Sequence, residues 1–335
     1  MPERRIRNVV QRKNSPFIYL NVMGEWYCYN PSEPPIGSGA MGDVYRGYCC
    51  KSGAVVAVKR VKDYYANNRM IRDRARQEAS LAFRHPNLVE MIGYCEYAPD
   101  KGPIFILSNL VNGENVNKYV HRFDGNPNRI EKICNVLCSV LDALDYVHSR
   151  GVVHRDIKPS NIMIEEGANV RLMDLGIARM NTGNKFSSFG FIGTPEYSAP
   201  EQILREQSGA HVFINATTDF YALGITFYEL LTGENPMNCS SETETITKQM
   251  KKRLPANPKV PMKLMQVIWK ATEKDQNNRY QTASEFKQAI QAALLLEPTL
   301  WERFTSWVQE NTILFSFLAI LFMLLLFVLV AIPLL

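Results

Sequence analysis

Within Ile313–Leu335 the one polar side chain is Ser316, and Leu, Ile, Phe and Val fill 18 of the 23 positions. No charge occurs from Asn311 onward. Helices of a water-soluble fold rarely run this long while apolar on every face. As one helix the run is about 34 Å long, enough to cross a hydrocarbon core of about 30 Å. At about −0.3 to −0.6 kcal/mol per such residue near the bilayer centre, insertion is favoured by several kcal/mol. The run therefore reads as a transmembrane helix over 313–335, and with no residue after it, as a single-pass tail anchor. Residues 297–312 become a juxtamembrane linker. Trp301, Phe304 and Trp307 recur there at steps of three. That spacing suits a stretch lying on the headgroups and equally a packed last helix of a soluble domain. The run holds no G-x-x-x-G pair, so no helix dimer is read from it.

The other end is basic, with Arg4, Arg5, Arg7, Arg12 and Lys13. No apolar run follows, so it does not read as a secretory signal. Residues 1–26 are read as a solvated basic arm, and everything before the span is expected on the cytoplasmic side. Lys plus Arg number 38 against 33 Asp plus Glu, a net charge of +5. That excess is too mild to argue for nucleic acid, and no nucleic-acid partner is expected. With 46% hydrophobic and 10% aromatic residues, the chain is neither disordered nor collagen-like. The seven cysteines make no C-x-x-C pair, and a cytoplasmic placement disfavours disulfides. Cys134 and Cys138, four apart in an apolar stretch, read as core.

Between the two ends the hydrophobic period changes. Gly42–Tyr48 and Ala54–Val61 alternate with period two and read as strands around a Lys51–Gly53 turn. Leu88–Tyr97 and Pro103–Leu110 read as two more, with a charged helix over Ala66–Phe83 before them. After about Asn112 the pattern becomes helical. Arg129–Ser149 carries Ile130, Ile133, Val136, Leu137, Val140, Leu141, Leu144 and Val147 at three- and four-residue steps. Thr218–Leu231 and Thr282–Leu296 follow as helices, with Thr282 and Glu285 spaced as a capping box. A sheet-rich lobe thus precedes a helix-rich one.

The chemistry-bearing residues come in a fixed order. Ile36–Val44 reads IGSGAMGDV, with glycines at 37, 39 and 42. Alone this is a weak signal, and a Gly-rich turn explains it as well. A strand follows rather than a helix, so the loop is a hairpin whose backbone N–H groups can approach phosphate oxygens. Lys59 in VAVKRV lies on a strand facing that hairpin, where its ammonium is placed to hold phosphates as a point charge. His154–Asn161 reads HRDIKPSN. Its Asp156 can accept a hydroxyl proton, its Lys158 can neutralise a moving phosphoryl group, and its Asn161 can hold a metal. Asp174 in the DLG at 174–176 supplies a second metal carboxylate. Gly193–Ser198 reads GTPEYS and Ala199–Glu201 reads APE.

In this order the motifs resemble the eukaryotic-type (Hanks-type) serine/threonine protein kinases, and most of all their bacterial members, over Tyr27–Leu296. The resemblance implies an α+β, two-lobed kinase fold, with an N-lobe over 27–110 and a C-lobe over 111–296. It implies ATP and Mg²⁺ as cofactors and proteins with Ser/Thr acceptors as substrates. By it, Ile36, Gly37, Ser38, Gly39, Ala40, Met41 and Gly42 cover the ATP phosphates, and Lys59 contacts them. Val44, Ala57 and Met163 sandwich the adenine, and the hinge from Asn109 to Val111 bonds it through the backbone. Asp156 orients the substrate hydroxyl and accepts its proton, Lys158 stabilises the phosphoryl group, and Asn161 and Asp174 bind Mg²⁺. Glu201 pairs with Arg279, Asp219 steadies the catalytic loop, and Thr194 bridges Asp156 and Lys158. Such a chain with a tail anchor is expected in a membrane, a bacterial inner membrane being favoured.

The pattern has departures. Leu175 stands for the usual Phe, Ser108 is a small residue at the back of the adenine site, and Asn109 replaces the usual hinge acid. Glu78 is the expected partner of Lys59 although it lies two residues late relative to His85. Arg76 holds the usual place, and Asp73 is the alternative. A loop insertion is expected near Ser208–Asn215. Arg155 beside the catalytic Asp implies control by phosphorylation of 180–192, where Thr182, Ser187 and Ser188 lie. Ser187 or Ser188 is favoured, by autophosphorylation. A small-molecule kinase usually lacks the GTPEY and APE segments. A pseudokinase scaffold normally loses one of Lys59, Asp156, Asn161 and Asp174.

Overall fold

Strands prevail up to Asn115 and helices beyond it, in line with the change of hydrophobic period. The computed structural model describes residues 8–39, 42–63, 69, 72–73, 76, 83–98, 101–174, 194–208 and 212–295, and singly 308, 311, 312, 316 and 320. The first lobe is an antiparallel sheet of β1 (Val9–Gln11), β2 (Ile18–Val22), β3 (Glu25–Tyr29), β4 (Gly37–Ser38), β5 (Gly42–Cys49), β6 (Val55–Val61), β7 (Met91–Ala98) and β8 (Lys101–Asn109). Its order is β1-β2-β3-β5-β6-β8-β7, with β4 also paired to β5. Alternation along β6 sends Val56 and Val58 to one face and Ala57 and Lys59 to the other. Val56 and Val58 are buried.

What buries them corrects the reading of residues 1–26 as a solvated arm. From Val9 on, these residues form β1, β2 and the start of β3. Val9, Leu20, Val22 and Tyr29 close over Val56, Val58, Cys95, Phe105 and Leu107 as one apolar cluster. The physical reason is a short hairpin. Val22 pairs with Glu25 across Met23 and Gly24, both with positive φ (52° and 88°), the geometry whose twist suits a tight two-residue connection. Leu20 and Val22 then point to one side and Tyr19 and Asn21 to the other, so the hairpin has a dry face to lay on the sheet.

The second lobe holds β9 (Gly113–Asn115), α1 (Val116–His121), α2 (Arg129–His148), β10 (Ile162–Glu165), β11 (Val170–Leu172), α3 (Pro200–Ser208), α4 (Ala216–Thr232), α5 (Glu242–Lys251), α6 (Met262–Ala271) and α7 (Ala283–Leu295). The α2 stripe at Ile133, Leu137, Val140, Leu141, Leu144 and Val147 is buried against α4 and α7, and Cys134 and Cys138 lie in the same core. α4 is buried on nearly all sides, which its apolar sequence required. At the start of α7 the Glu285 N–H donates to Thr282 Oγ1, as an N-cap does, and the Glu285 carboxylate reaches one residue further back to accept from the Gln281 N–H. All seven cysteines are free thiols. The Ser208–Asn215 stretch begins as the end of α3 and finishes at Asn215, whose side chain caps α4; residues 209–211 lie outside the described residues.

The lobes join where β11 meets the start of the segment leading to β7. Leu172 N–H donates to Asn87 O at 2.8 Å, and Val89 N–H to Leu172 O at 3.0 Å. Among the described residues no helix is long and apolar enough to cross a membrane. Of the span expected over 313–335, all but Ser316 and Ile320 lies outside the described residues.

Candidate active site

The cleft between the lobes is roofed by β4 and β5. Ile36 N–H bonds Val44 O at 2.8 Å and Gly39 N–H bonds Gly42 O at 2.9 Å, so the glycine segment is a hairpin, as its sequence implied. Gly42 is glycine for a steric reason, since a Cβ there would come within 2.5 Å of the Arg60 carbonyl oxygen. Gly37 and Gly39 face no such wall; their lack of a side chain leaves the backbone open to a ligand. Register brings Val44 opposite Lys59 and Ala57 opposite Ser108. Val44, Ala57 and, from β10 below, Met163 are all half-buried. At the mouth Asn109 is exposed, its amide donating to Glu90 Oε2 at 3.4 Å, and the 110–112 backbone runs on without regular structure through Val111. Ser38 Oγ donates to Asp43 across the hairpin, and Ile36 is half-exposed at its rim.

The 154–161 loop is a bend held by buried polar bonds. Asp219 on α4 is fully buried and accepts from His154 N–H at 2.7 Å, Arg155 N–H at 2.6 Å and His148 Nε2 at 2.7 Å. Burial raises the pKa of such a carboxyl, but the hydrogen bonds from His148 and from the Arg155 backbone outweigh it and hold it below the ordinary aspartate value. His154 is buried and its Nε2 donates to Met173 O at 3.0 Å; burial lowers its pKa and keeps it neutral. Arg155 between them has φ of 67°. On the solvent side of the bend Asn161 Nδ2 donates to Asp156 O at 2.8 Å and to Asp156 Oδ2 at 3.0 Å. Lys158 Nζ lies 3.0 Å from the same carboxylate oxygen and 2.8 Å from Thr194 Oγ1. A hydroxyl brought to this point meets a proton acceptor whose rotamer is fixed and a cation beside it.

Asp174 ends the β11 side of the cleft with φ of 46°, and its carboxylate lies 3.2 Å from Lys59 Nζ. Lys59 therefore reaches from the upper lobe to the lower. Asn161 commits its amide hydrogens to Asp156, which leaves its amide oxygen as the donor for a cation. With the Asp174 carboxylate this makes a hard-oxygen pair, a set that fits Mg²⁺, which takes few protein ligands and completes its shell with water and phosphate oxygens.

Behind the loop, Arg279 and Glu201 form a fully buried two-bond pair at 2.7 and 2.9 Å. Thr218 Oγ1 also donates to Glu201, and Arg279 donates to the carbonyls of Thr217, Glu273 and Lys274, so both ions are saturated. Two supports went unread in the sequence. Gln202, buried, bonds Arg155 O at 3.1 Å and takes the Ala199 N–H on its own oxygen. Arg72 and Arg76 both bond Glu96 on β7, and Arg72 also bonds the carbonyls of Ala98 and Gly102. Arg76, at the place where the family usually has its glutamate, is thus turned to Glu96, and Asp73 is bonded to Arg76. Glu78, Ala40, Met41, Leu175 and the 180–192 segment with Thr182, Ser187 and Ser188 lie outside the described residues.

Residues 31–299 match the protein kinase domain family. The chain is 31% identical over 283 residues to the serine/threonine-protein kinase PrkC of Bacillus subtilis, covering 82% of this chain and 42% of that one. It is 34% identical over 263 residues to the serine/threonine-protein kinase PknB of Mycolicibacterium smegmatis, covering 75% and 41%. It therefore spans about two fifths of the length of these curated relatives. In three dimensions it is similar to the crystal structure of the Mycobacterium tuberculosis PknI kinase domain, with a TM-score of 0.61 at 22% identity, covering 86% of this chain and 100% of that one. Sequence match and two-lobed architecture agree: the chain belongs to the protein kinase domain family.

Proposed function

We propose that this chain is a membrane-anchored protein kinase that transfers the γ-phosphate of ATP to serine and threonine hydroxyls of proteins. The observation that carries the reading is the position of Lys158 Nζ between Asp156 Oδ2 and Thr194 Oγ1, at 3.0 and 2.8 Å. Phosphoryl transfer needs positioning and charge stabilisation more than covalent help. Asp156, its rotamer fixed by Asn161, accepts the acceptor's hydroxyl proton. Lys158 compensates the negative charge that gathers on the transferring group. Lys59 holds the phosphates from above, and the β4–β5 hairpin excludes water from them. Mg²⁺, when held by Asn161 and Asp174, neutralises the phosphate charge. Thr194, joined to Lys158, ties the acceptor-binding segment to the chemistry, and the serine/threonine names of the bacterial relatives support the same acceptor class.

The test is transfer of labelled γ-phosphate to protein, with Asp156→Ala as control; turnover of about 1–100 s⁻¹ is expected with a good acceptor. ATP binding without transfer to any protein would overturn the reading. Autophosphorylation within 180–192, at Ser187 or Ser188, is part of the proposal, because Arg155 supplies a buried cation beside the catalytic aspartate. Phosphopeptide mapping of wild type against Asp156→Asn decides it, and equal occupancy in both rules out autocatalysis. The apolar run 313–335 anchors the chain, with the kinase lobes on the cytoplasmic side of a bacterial inner membrane. The full chain should resist carbonate extraction from membranes, and a chain ending at Thr312 should not; equal extraction rejects the anchor.

A further inference from the structure

The Pro195–Tyr197 turn, which follows Thr194, is held from beneath by a side chain that belongs to no motif. Gln249 on α5 is fully buried (0% exposed). Its Nε2 donates to Pro195 O at 3.2 Å and to Glu196 O at 2.5 Å. Its Oε1 accepts from the hydroxyl of Tyr221, buried on α4, at 2.6 Å. Lys274 Nζ in turn donates to that hydroxyl oxygen at 2.7 Å. The direction of each bond in this chain is fixed by its ends. An ammonium only donates, so Tyr221 must spend its own hydrogen elsewhere, and Gln249 Oε1 receives it. Carbonyls only accept, so the amide NH₂ must face Pro195 and Glu196. The amide can sit in one orientation only, which removes the usual ambiguity between its nitrogen and oxygen.

These links bridge two regions. On one side Tyr221 and Gln249 are buried in the second lobe, with Lys274 half-buried beside them. On the other, the turn begins at Thr194, whose Oγ1 accepts from Lys158 Nζ, and Ser198 Oγ closes it by donating to Thr194 O at 3.0 Å. Asn235 Nδ2 adds a second donor to Glu196 O at 3.1 Å. A turn tied at its start to the catalytic cation and along its carbonyls to a buried amide has little freedom to rise or fall. We propose that Gln249 is a positioning residue for the phosphoacceptor: by fixing the height of the Thr194–Tyr197 turn over the core, it sets how closely an acceptor hydroxyl approaches Asp156 and Lys158. The inference rests on the reading above that this turn binds the acceptor.

The experiment replaces Gln249 by Met, which keeps length and volume and removes both donated bonds, and separately Tyr221 by Phe, which removes only the hydroxyl that orients the amide. The full chain is assayed with casein as acceptor, with ATP and acceptor varied independently. Two lost bonds to carbonyls are worth about 0.5–1.5 kcal/mol each, so kcat/KM for casein should fall roughly 5- to 150-fold in Gln249→Met, and by less in Tyr221→Phe. KM for ATP should stay within about twofold in both, which a general loosening of the fold would not allow. Hydrogen exchange, which needs no turnover, should speed up at the amides of Tyr197 and Ser198 in Gln249→Met. Parallel loss of ATP and acceptor parameters, or unchanged acceptor kinetics with unchanged exchange, overturns the proposal. A wild-type chain that transfers nothing to protein fails the functional reading instead, and the exchange result then still decides whether Gln249 fixes the turn. If Gln249→Met does not fold, Tyr221→Phe alone carries the same readouts.

Discussion

The N-terminal hairpin separates two physical pictures by one pair of substitutions. Leu20 on β2 is 0% exposed, inside the cluster with Val56, Val58, Phe105 and Leu107, and Met23 at the tip of the same hairpin is 93% exposed. If the hairpin is part of the fold, Leu20→Ala removes buried methyl groups and leaves a cavity. That costs about 2–5 kcal/mol. For a domain of this size each kcal/mol moves Tm by about 2–4 °C, so a drop of roughly 4–20 °C is expected. Met23→Ala shortens an exposed side chain and should stay within about 0.5 kcal/mol of wild type. Thermal unfolding of both variants by near-ultraviolet circular dichroism makes the comparison. A Leu20→Ala shift as small as that of Met23→Ala would show residues 8–24 to be a solvated arm and refute the sheet. The same logic implies that a chain cut at residue 31, where the family match begins, exposes the outer face of β6 and β8 and loses solubility.

Other consequences are direct. Arg279→Met leaves Glu201 charged and buried without its partner and should cost about 3–5 kcal/mol by denaturant unfolding, with part of that loss recovered in the Arg279→Met/Glu201→Gln double variant. Asp219 has its folded pKa held below the unfolded value, so its contribution is complete above about pH 4 and fades as pH falls further. The stability gap between wild type and Asp219→Asn should therefore shrink as pH falls below about 4; a gap that keeps growing below that pH contradicts the assignment. Ser108→Phe should fill the space opposite Ala57 and weaken a bulky ATP-competitive inhibitor by roughly tenfold or more by titration calorimetry.

How far the sequence was readable depended on how far apart the cooperating residues lie along the chain. Asp156, Lys158 and Asn161 fall within one short bend, so their spacing alone marked them as neighbours, and the structure brings them together. Gly42 was visible through the glycine spacing at 37, 39 and 42, and Lys59 through the VAVKRV strand that faces that hairpin. Asp219, Glu201 and Arg279 became legible only through the family resemblance, because a carboxylate bonded to backbone N–H groups from another segment leaves no periodic trace. Gln202 and Gln249 left less still. Each is an amide meeting carbonyls, Arg155 O in one case and Pro195 O and Glu196 O in the other, and a carbonyl has no residue identity to match. The N-terminal hairpin was hidden for a local reason. Its turn is Met-Gly rather than Asn-Gly, and the segment before it is dominated by basic residues. The alternation of Ile18, Leu20 and Val22 was present but short.

The backbone at Arg155 shows why these unread supports matter. A residue with a side chain pays about 1–2 kcal/mol to sit in the left-handed region, and φ there is 67°. Something must hold it, and the structure supplies both halves. Asp219 takes the N–H of Arg155 and that of His154, each a bond to a carboxylate worth about 1.5–3 kcal/mol. Gln202 takes the carbonyl of Arg155. The strain is thus exceeded by bonds that exist only when α4 and α3 are docked beneath the loop. Asp156, the next residue, has its direction set by that bend. Folding of the helical lobe and orientation of the Asp156 carboxylate are therefore one event: an aspartate on α4 and a glutamine on α3 decide where it points.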